Sequence, residues 1–285
     1  ESFISINNII FGTLIFSTML GVLYPLIYEY LYDQKISVGA PFYNAIFIPL
    51  TLIAGIFLFF SIDSKWQRSI KITNLLSPMS TSLLIAGSSL LLFHYFLAVN
   101  DYWILLSVFV GILILVRYMF VIYDYLFRQK YSNLYSITAH LGLSMLIISI
   151  ALNSEFSSER ALNIRMNESD IYGGYEIKFD DLRLEKSSNY DAVIASFVLN
   201  GSDGRNFILK PEKRKYFARG QITTETAIKI SPLKDIYMTI GDQLDDGSWI
   251  VNIQLNYFVR WIWFSAIMMA FAGLMLAYSL VRGKR

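Results

Sequence analysis

YSITAHLGLSMLIISIAL, residues 135–152, is a continuous apolar run with a histidine, His140, five residues in. At about 1.5 Å per helical residue the run approaches the roughly 30 Å hydrocarbon thickness of a bilayer, so it reads as a membrane span. Histidine is scarce here: the chain has two, His94 and His140. An imidazole in such a span has lost its water and must meet either a ligand or a hydrogen-bonding neighbour, such as a backbone carbonyl or a hydroxyl. Both readings stand on this stretch alone.

Working outward, apolar runs of similar length occupy about 9–28, 43–61, 79–99, 103–123 and 257–281, giving six candidate spans. The composition agrees, because 55% of the 285 residues are hydrophobic, above the roughly 45–50% usual in soluble domains. Basic residues sort the loops. Lys65, Arg68 and Lys71 follow the second span, Arg128 and Lys130 the fourth, and Arg282, Lys284 and Arg285 the last, whereas the alternate short loops supply only Lys35. This bias predicts both termini on the cytoplasmic or matrix side of an inner membrane. A net charge of +2 gives no basis for nucleic-acid binding, so lipid is the expected bulk partner. The absence of cysteine excludes disulfides, iron–sulfur ligation, a thiol nucleophile and haem attached to this chain through thioethers. The opening ESFISINN, starting at Glu1, is acidic and polar and reads as a processed, trimmed or incomplete start, not as a signal peptide.

Residues 153–256 alternate like strands. The stretches 173–184, 192–200, 235–242 and 248–258 read as β, and NGSDGRN (200–206) as a hairpin turn leading into FILK (207–210). The predicted fold is an α-helical integral membrane protein of about six spans, with a small β-rich extracytoplasmic domain inserted before the last helix. The boundaries are 1–152 for five helices, 153–256 for the β domain, and 257–285 for the final helix and basic tail. Within the domain, KPEKRKYFARG (210–220) carries five basic side chains against one acid. Such a run is either a solvated charged loop or a contact surface for an acidic partner. The domain has no histidine, so no Ser-His-Asp arrangement can form there from this chain.

Several stretches, in order, resemble the CcmF family of cytochrome c-type biogenesis proteins, the membrane component of the cytochrome c haem lyase. They are GVLYPLIYEYLYDQKISVGAPFYNAIFIPL (21–50), AHLGLSMLIISIALNSEFSSERALNI (139–164), PEKRKYFARGQITTETAI (211–228), DIYMTIGDQLDDGSW (235–249) and FVRWIWFSAIMMAFAGLMLA (258–277). The resemblance covers about residues 5–280 and only the C-terminal half of that family, as in split mitochondrial forms. It implies that the tryptophan-rich platform that presents haem sits on another chain. Trp66, Trp103, Trp249, Trp261 and Trp263 form no cluster here, and the last two read as an interfacial belt.

The resemblance implies that His140 is an axial ligand of a haem b within the membrane, and Gly142 would let a flat macrocycle approach the helix or simply serve helix packing. His94 is not expected to be the second ligand. It lies 15 residues beyond residue 79, whereas His140 lies five beyond residue 135, a depth offset of about 15 Å. His94 then reads as a satisfied polar group near the outer interface, and the second ligand as a residue of an N-terminal-half CcmF-type chain. The resemblance further implies electron supply for haem attachment to apocytochrome c, with a thiol-handling protein and a haem chaperone as further partners. Lys213, Arg214 and Arg219 are the candidate partner surface, and Arg260 is placed to meet a haem propionate or lipid headgroups. The chain alone is expected to be inactive as a lyase, and its half length favours a mitochondrial over a bacterial membrane. The alternative is a structural subunit of a larger inner-membrane, for example respiratory, assembly that keeps the fold without lyase activity. Transport is disfavoured, since only Arg117 lies well within a span and no internal repeat is visible.

Overall fold

The computed structural model describes residues 2–62, 76–128, 133–202, 204–218 and 220–283. Lys65, Arg68, Lys71, Lys130, Lys284 and Arg285, which weighed in the orientation, lie outside them, as does Trp66. Among the described residues six helices are long and apolar enough to cross a membrane. They are α1 (Ser2–Tyr32), α2 (Ala40–Ser61), α3 (Leu76–Phe96), α4 (Tyr102–Phe127), α5 (Leu134–Phe156) and α6 (Val259–Arg282). Contacts divide the chain into one unit of Glu1–Ala151 with Trp261–Arg285, and a second unit of Leu152–Arg260.

Local chemistry accounts for the helices. Asp101 caps α4, accepting from the backbone N–H of Trp103 at 2.7 Å and Ile104 at 3.2 Å. Such a cap contributes about 1 kcal/mol. In hydrocarbon every polar group needs an internal partner, and the helix hydroxyls find theirs one turn back: Thr13 donates to the Ile9 carbonyl, Thr18 to Leu14, Ser107 to Trp103 and Thr138 to Leu134. Helices α2, α4 and α5 share a core of Leu52, Val110, Ile114, Tyr118, Ile137 and Ile147. Small residues set the close crossings. A methyl group at Gly111 would lie 3.2 Å from the Ser144 carbonyl oxygen of α5, and one at Gly55 would lie 2.5 Å from Val110 Cγ1 of α4.

Among its described residues the second unit contains ten strands, β1 (Ser158–Ile164), β2 (Ser169–Tyr172), β3 (Tyr175–Lys186), β4 (Tyr190–Gly201), β5 (Asn206–Leu209), β6 (Glu212–Tyr216), β7 (Ile222–Glu225), β8 (Ala227–Lys229), β9 (Lys234–Gln243) and β10 (Trp249–Tyr257). One sheet runs β1-β10-β9-β8; the other runs β2-β3-β4-β6-β7, with β5 also on β4. The pairings are antiparallel. Period-two alternation brings Ile236, Met238 and Ile240 of β9 directly opposite Leu255, Ile253 and Val251 of β10. Ile177 and Phe179 of β3 stand opposite Leu199 and Phe197 of β4. These side chains from both sheets form one buried core, in which the Phe179 and Phe197 rings stack at 4.6 Å. Full burial of each such side chain contributes about 1.5–3 kcal/mol.

Strand 173–184 of the sequence reading starts two residues later, because Gly173 and Gly174 are the turn between β2 and β3, with φ of +58° and +82°. Two left-handed residues in succession match the twist of a two-residue hairpin. At Gly173 any Cβ would also run into Leu255 Cδ1 at 2.1 Å. The hairpin read at 200–206 joins β4 to β5, with Asn200 opposite Asn206.

Candidate functional site

His140 sits in the second turn of α5, with its ring half-buried. Its Nδ1 lies 2.7 Å from Tyr118 Oη of α4 and 3.3 Å from Ser136 Oγ one turn back on its own helix. The Tyr118 and His140 rings stack at 5.1 Å, inclined by 26°. Nδ1 is thus engaged, and Nε2 is the nitrogen left free of these bonds. His140 also borders a cavity of about 250 Å³ lined by Ile4, Asn7 and Ile10 of α1 and Ala54, Phe57, Leu58 and Ser61 of α2. This surround is apolar with two polar groups, the pattern of a ligand site, but its volume is below the roughly 300–1,000 Å³ of complete small-molecule pockets. The cavity has room for the edge of a flat macrocycle and not for the whole of one.

The other residues singled out in the sequence fall elsewhere. His94, in the last turn of α3, donates from Nδ1 to the Val99 backbone carbonyl at 3.1 Å, so it is a satisfied polar group. Gly142 serves helix packing: a methyl group there would lie 3.0 Å from the Ser265 carbonyl oxygen and 2.8 Å from Met269 Cγ, both on α6. No flat ligand has room on that face. Arg117 is buried on α4 beside Tyr118.

In the β domain, Lys213 and Arg214 are adjacent on β6, while Arg219 lies outside the described residues. Neither described cation stands open. Lys213 pairs with Asp242 of β9, which ties the two sheets together. Arg214 pairs with Glu212 at 2.8 Å and Glu225 at 3.8 Å, and its guanidinium lies 4.8 Å from the centre of the Tyr190 ring. Hydrogen bonds to Glu212 and then Tyr216 hold this guanidinium charged, above its usual range. Both cations border a cleft of about 550 Å³ whose apolar wall includes Leu184, Ile222 and Trp249. Arg260 pairs with Asp235: its Nε lies 3.1 Å from a carboxylate oxygen, close enough for an ion pair though not aligned as a hydrogen bond. Asp235 is 1% exposed, and its other oxygen accepts from the Ser231 backbone N–H at 2.9 Å.

Sequence reasoning singled out His140 and not the two groups against its ring, Tyr118 and Ser136. Ser136 stands four residues before His140, a helical spacing that could have marked it. Tyr118 is 22 residues away on another helix, and no local pattern points to it.

Comparison with known proteins adds relatives. Residues 155–256 match the family described as CcmF C-terminal beta-sandwich. The cytochrome c-type biogenesis protein CcmF of Pseudomonas aeruginosa is 28% identical over 97% of this chain and 43% of its own length. The protein of the same name from Pseudomonas fluorescens is 30% identical over 95% and 42%, and that of Escherichia coli 29% over 96% and 43%. The chain therefore spans less than half the length of the curated relatives it matches. A solved structure described as Cytochrome c Heme Lyase CcmF has a TM-score of 0.72, covering 94% of this chain and 44% of that one at 16% identity, which shows a shared fold.

Proposed function

We propose that this chain, similar along nearly its whole length to the C-terminal part of CcmF proteins, is a multi-pass membrane subunit of cytochrome c maturation in which His140 supplies one axial ligand of a membrane-buried haem b. One observation carries this reading: His140 borders an apolar cavity, and its Nδ1 lies against Tyr118 Oη and Ser136 Oγ while Nε2 takes no part in these contacts. Imidazole ligands commonly bind metal through one nitrogen while the other is fixed by a hydrogen bond.

The small cavity supports a shared site. Residues of α1 and α2 would hold part of the haem beside His140, and an N-terminal-half CcmF-type chain would supply the second ligand, the remaining wall and the tryptophan-rich platform. When bound, a haem held by His140 would supply one-electron redox chemistry, relaying electrons from a membrane reductant to the haem being attached to apocytochrome c. The β domain is the docking face for apocytochrome c, a haem chaperone and a thiol-handling protein. In that role Lys213 and Arg214 flank the cleft, Leu184 and Ile222 offer it an apolar wall, and Arg219, outside the described residues, is the third basic group of the proposed surface. The termini face the matrix or cytoplasm, in a mitochondrial inner membrane by preference over a bacterial one.

A second reading rests on the ion pairs. Because Lys213 and Arg214 are occupied within the domain, the same fold could serve as a structural subunit of a larger inner-membrane assembly. Depletion separates the two. In membranes depleted of this chain, covalently attached cytochrome c haem is expected to fall. Wild-type protein should restore it, and His140→Ala should leave it lower by about tenfold or more. Unchanged holocytochrome after depletion would favour the structural subunit, and full restoration by His140→Ala would remove the ligand role.

A further inference from the structure

We infer that Tyr118 is the positioning residue of His140, fixing which ring nitrogen carries the proton and how strongly the other donates; this rests on the proposed ligand role of His140. Tyr118 is 5% exposed, and a phenol buried in an apolar core needs a partner for its hydroxyl. It finds one in His140 Nδ1 at 2.7 Å, the shorter of the two contacts to that nitrogen. The stacked ring limits rotation of the imidazole as well.

A neutral imidazole has one N–H donor and one acceptor nitrogen. In the tautomer we infer, Nδ1–H donates to Tyr118 Oη, which puts the lone pair on Nε2, the nitrogen needed for ligation; the 2.7 Å contact itself fits either direction. An acceptor on the far nitrogen also makes the imidazole a more basic ligand. A more basic ligand favours the ferric over the ferrous state and so lowers the midpoint potential. Tyr118 thus sets the poise of the haem site from a helix that contributes no ligand. Ser136, farther from Nδ1, plays a lesser part.

The test uses the complex with its natural partners, extracted in mild detergent, with a redox titration of the b-type absorbance. Wild type, Tyr118→Phe, His140→Ala and a fluorotyrosine placed at position 118 are compared. Tyr118→Phe keeps the ring and removes the acceptor. It is expected to raise the midpoint potential and to weaken haem retention about tenfold against an external haem acceptor. Fluorotyrosine leaves the volume nearly unchanged and makes the oxygen a poorer acceptor, so the potential should rise by less; this variant decides the matter if Tyr118→Phe does not assemble. A wild-type potential in Tyr118→Phe, or a fall in potential with fluorotyrosine, overturns the role of Tyr118 while leaving His140 as ligand. A wild-type complex without the band, or a band that survives His140→Ala, instead removes the ligand reading and the role of Tyr118 with it.

Discussion

Gly142 and Gly12 both sit in membrane-spanning helices, yet a methyl group added at each meets opposite surroundings. At Gly142 it meets the Ser265 backbone carbonyl, which cannot move aside cheaply, and at Gly12 nothing lies within 4 Å. Gly142→Ala is therefore expected to cost about 1–3 kcal/mol by overpacking the α5–α6 crossing, seen as a lower unfolding temperature in detergent. Gly12→Ala should be neutral or slightly stabilising; an equal loss in both variants would contradict the packing argument. The same scale shows what the sequence could convey about the site. His140 was legible because an ionisable ring is conspicuous in an apolar run. Tyr118 was not, since buried tyrosines are common and its meaning comes only from the partner that the α4–α5 packing brings to it.

Strands and turns form the next scale, and here pairing matters more than composition. Strands β3, β4, β9 and β10 declare themselves by inward-facing residues at every second position. β6, with the sequence EKRKY, has no such alternation and is a strand because β4 and β7 flank it on both sides. The short strands β7 and β8 carry too few residues to show a period. Charged turns add a pH dependence. Between β9 and β10, Asp246 accepts from the Ser248 hydroxyl at 2.6 Å and the Ser248 N–H at 3.0 Å, and pairs with Arg165 at 3.0 Å. The Ser248 hydroxyl foremost, then its N–H, holds the Asp246 carboxyl below the usual range. With the folded value below the unfolded one, the unfolded chain binds the extra proton, so this contribution is complete above about pH 5 and fades as pH falls through the carboxylate range. Asp246→Asn should flatten the acid limb of the stability curve measured on the full chain; an unchanged limb would argue against it. At the other end of β9, Asp235→Ala removes the partner of Arg260 and an acceptor for the Ser231 N–H. The expected loss is about 1–3 kcal/mol, less than for a fully buried pair because Arg260 is 40% exposed. A thermal scan that matches wild type would contradict that estimate.

Across the whole molecule, the six helices and the inserted β domain were readable in advance, because a bilayer demands long apolar runs and a half-buried sheet demands alternation. The helices run past those apolar limits. α1 continues to Tyr32 and α5 to Phe156, since backbone hydrogen bonding does not stop where hydrophobicity does. Sidedness is testable on a clean background, for the chain has no cysteine. Single substitutions Ser202→Cys in the β domain and Ser69→Cys in the basic stretch of sequence between the second and third apolar runs should react with a membrane-impermeant thiol reagent from opposite sides. Labelling of both from one side would overturn the orientation.

The central claim, that His140 ligates a haem within the membrane, is tested most directly by a reduced-minus-oxidised absorbance spectrum of the intact complex, wild type against His140→Ala. The account predicts a b-type band in the wild type and its loss in the variant with the partner chains still bound; an undiminished band in the variant would contradict it.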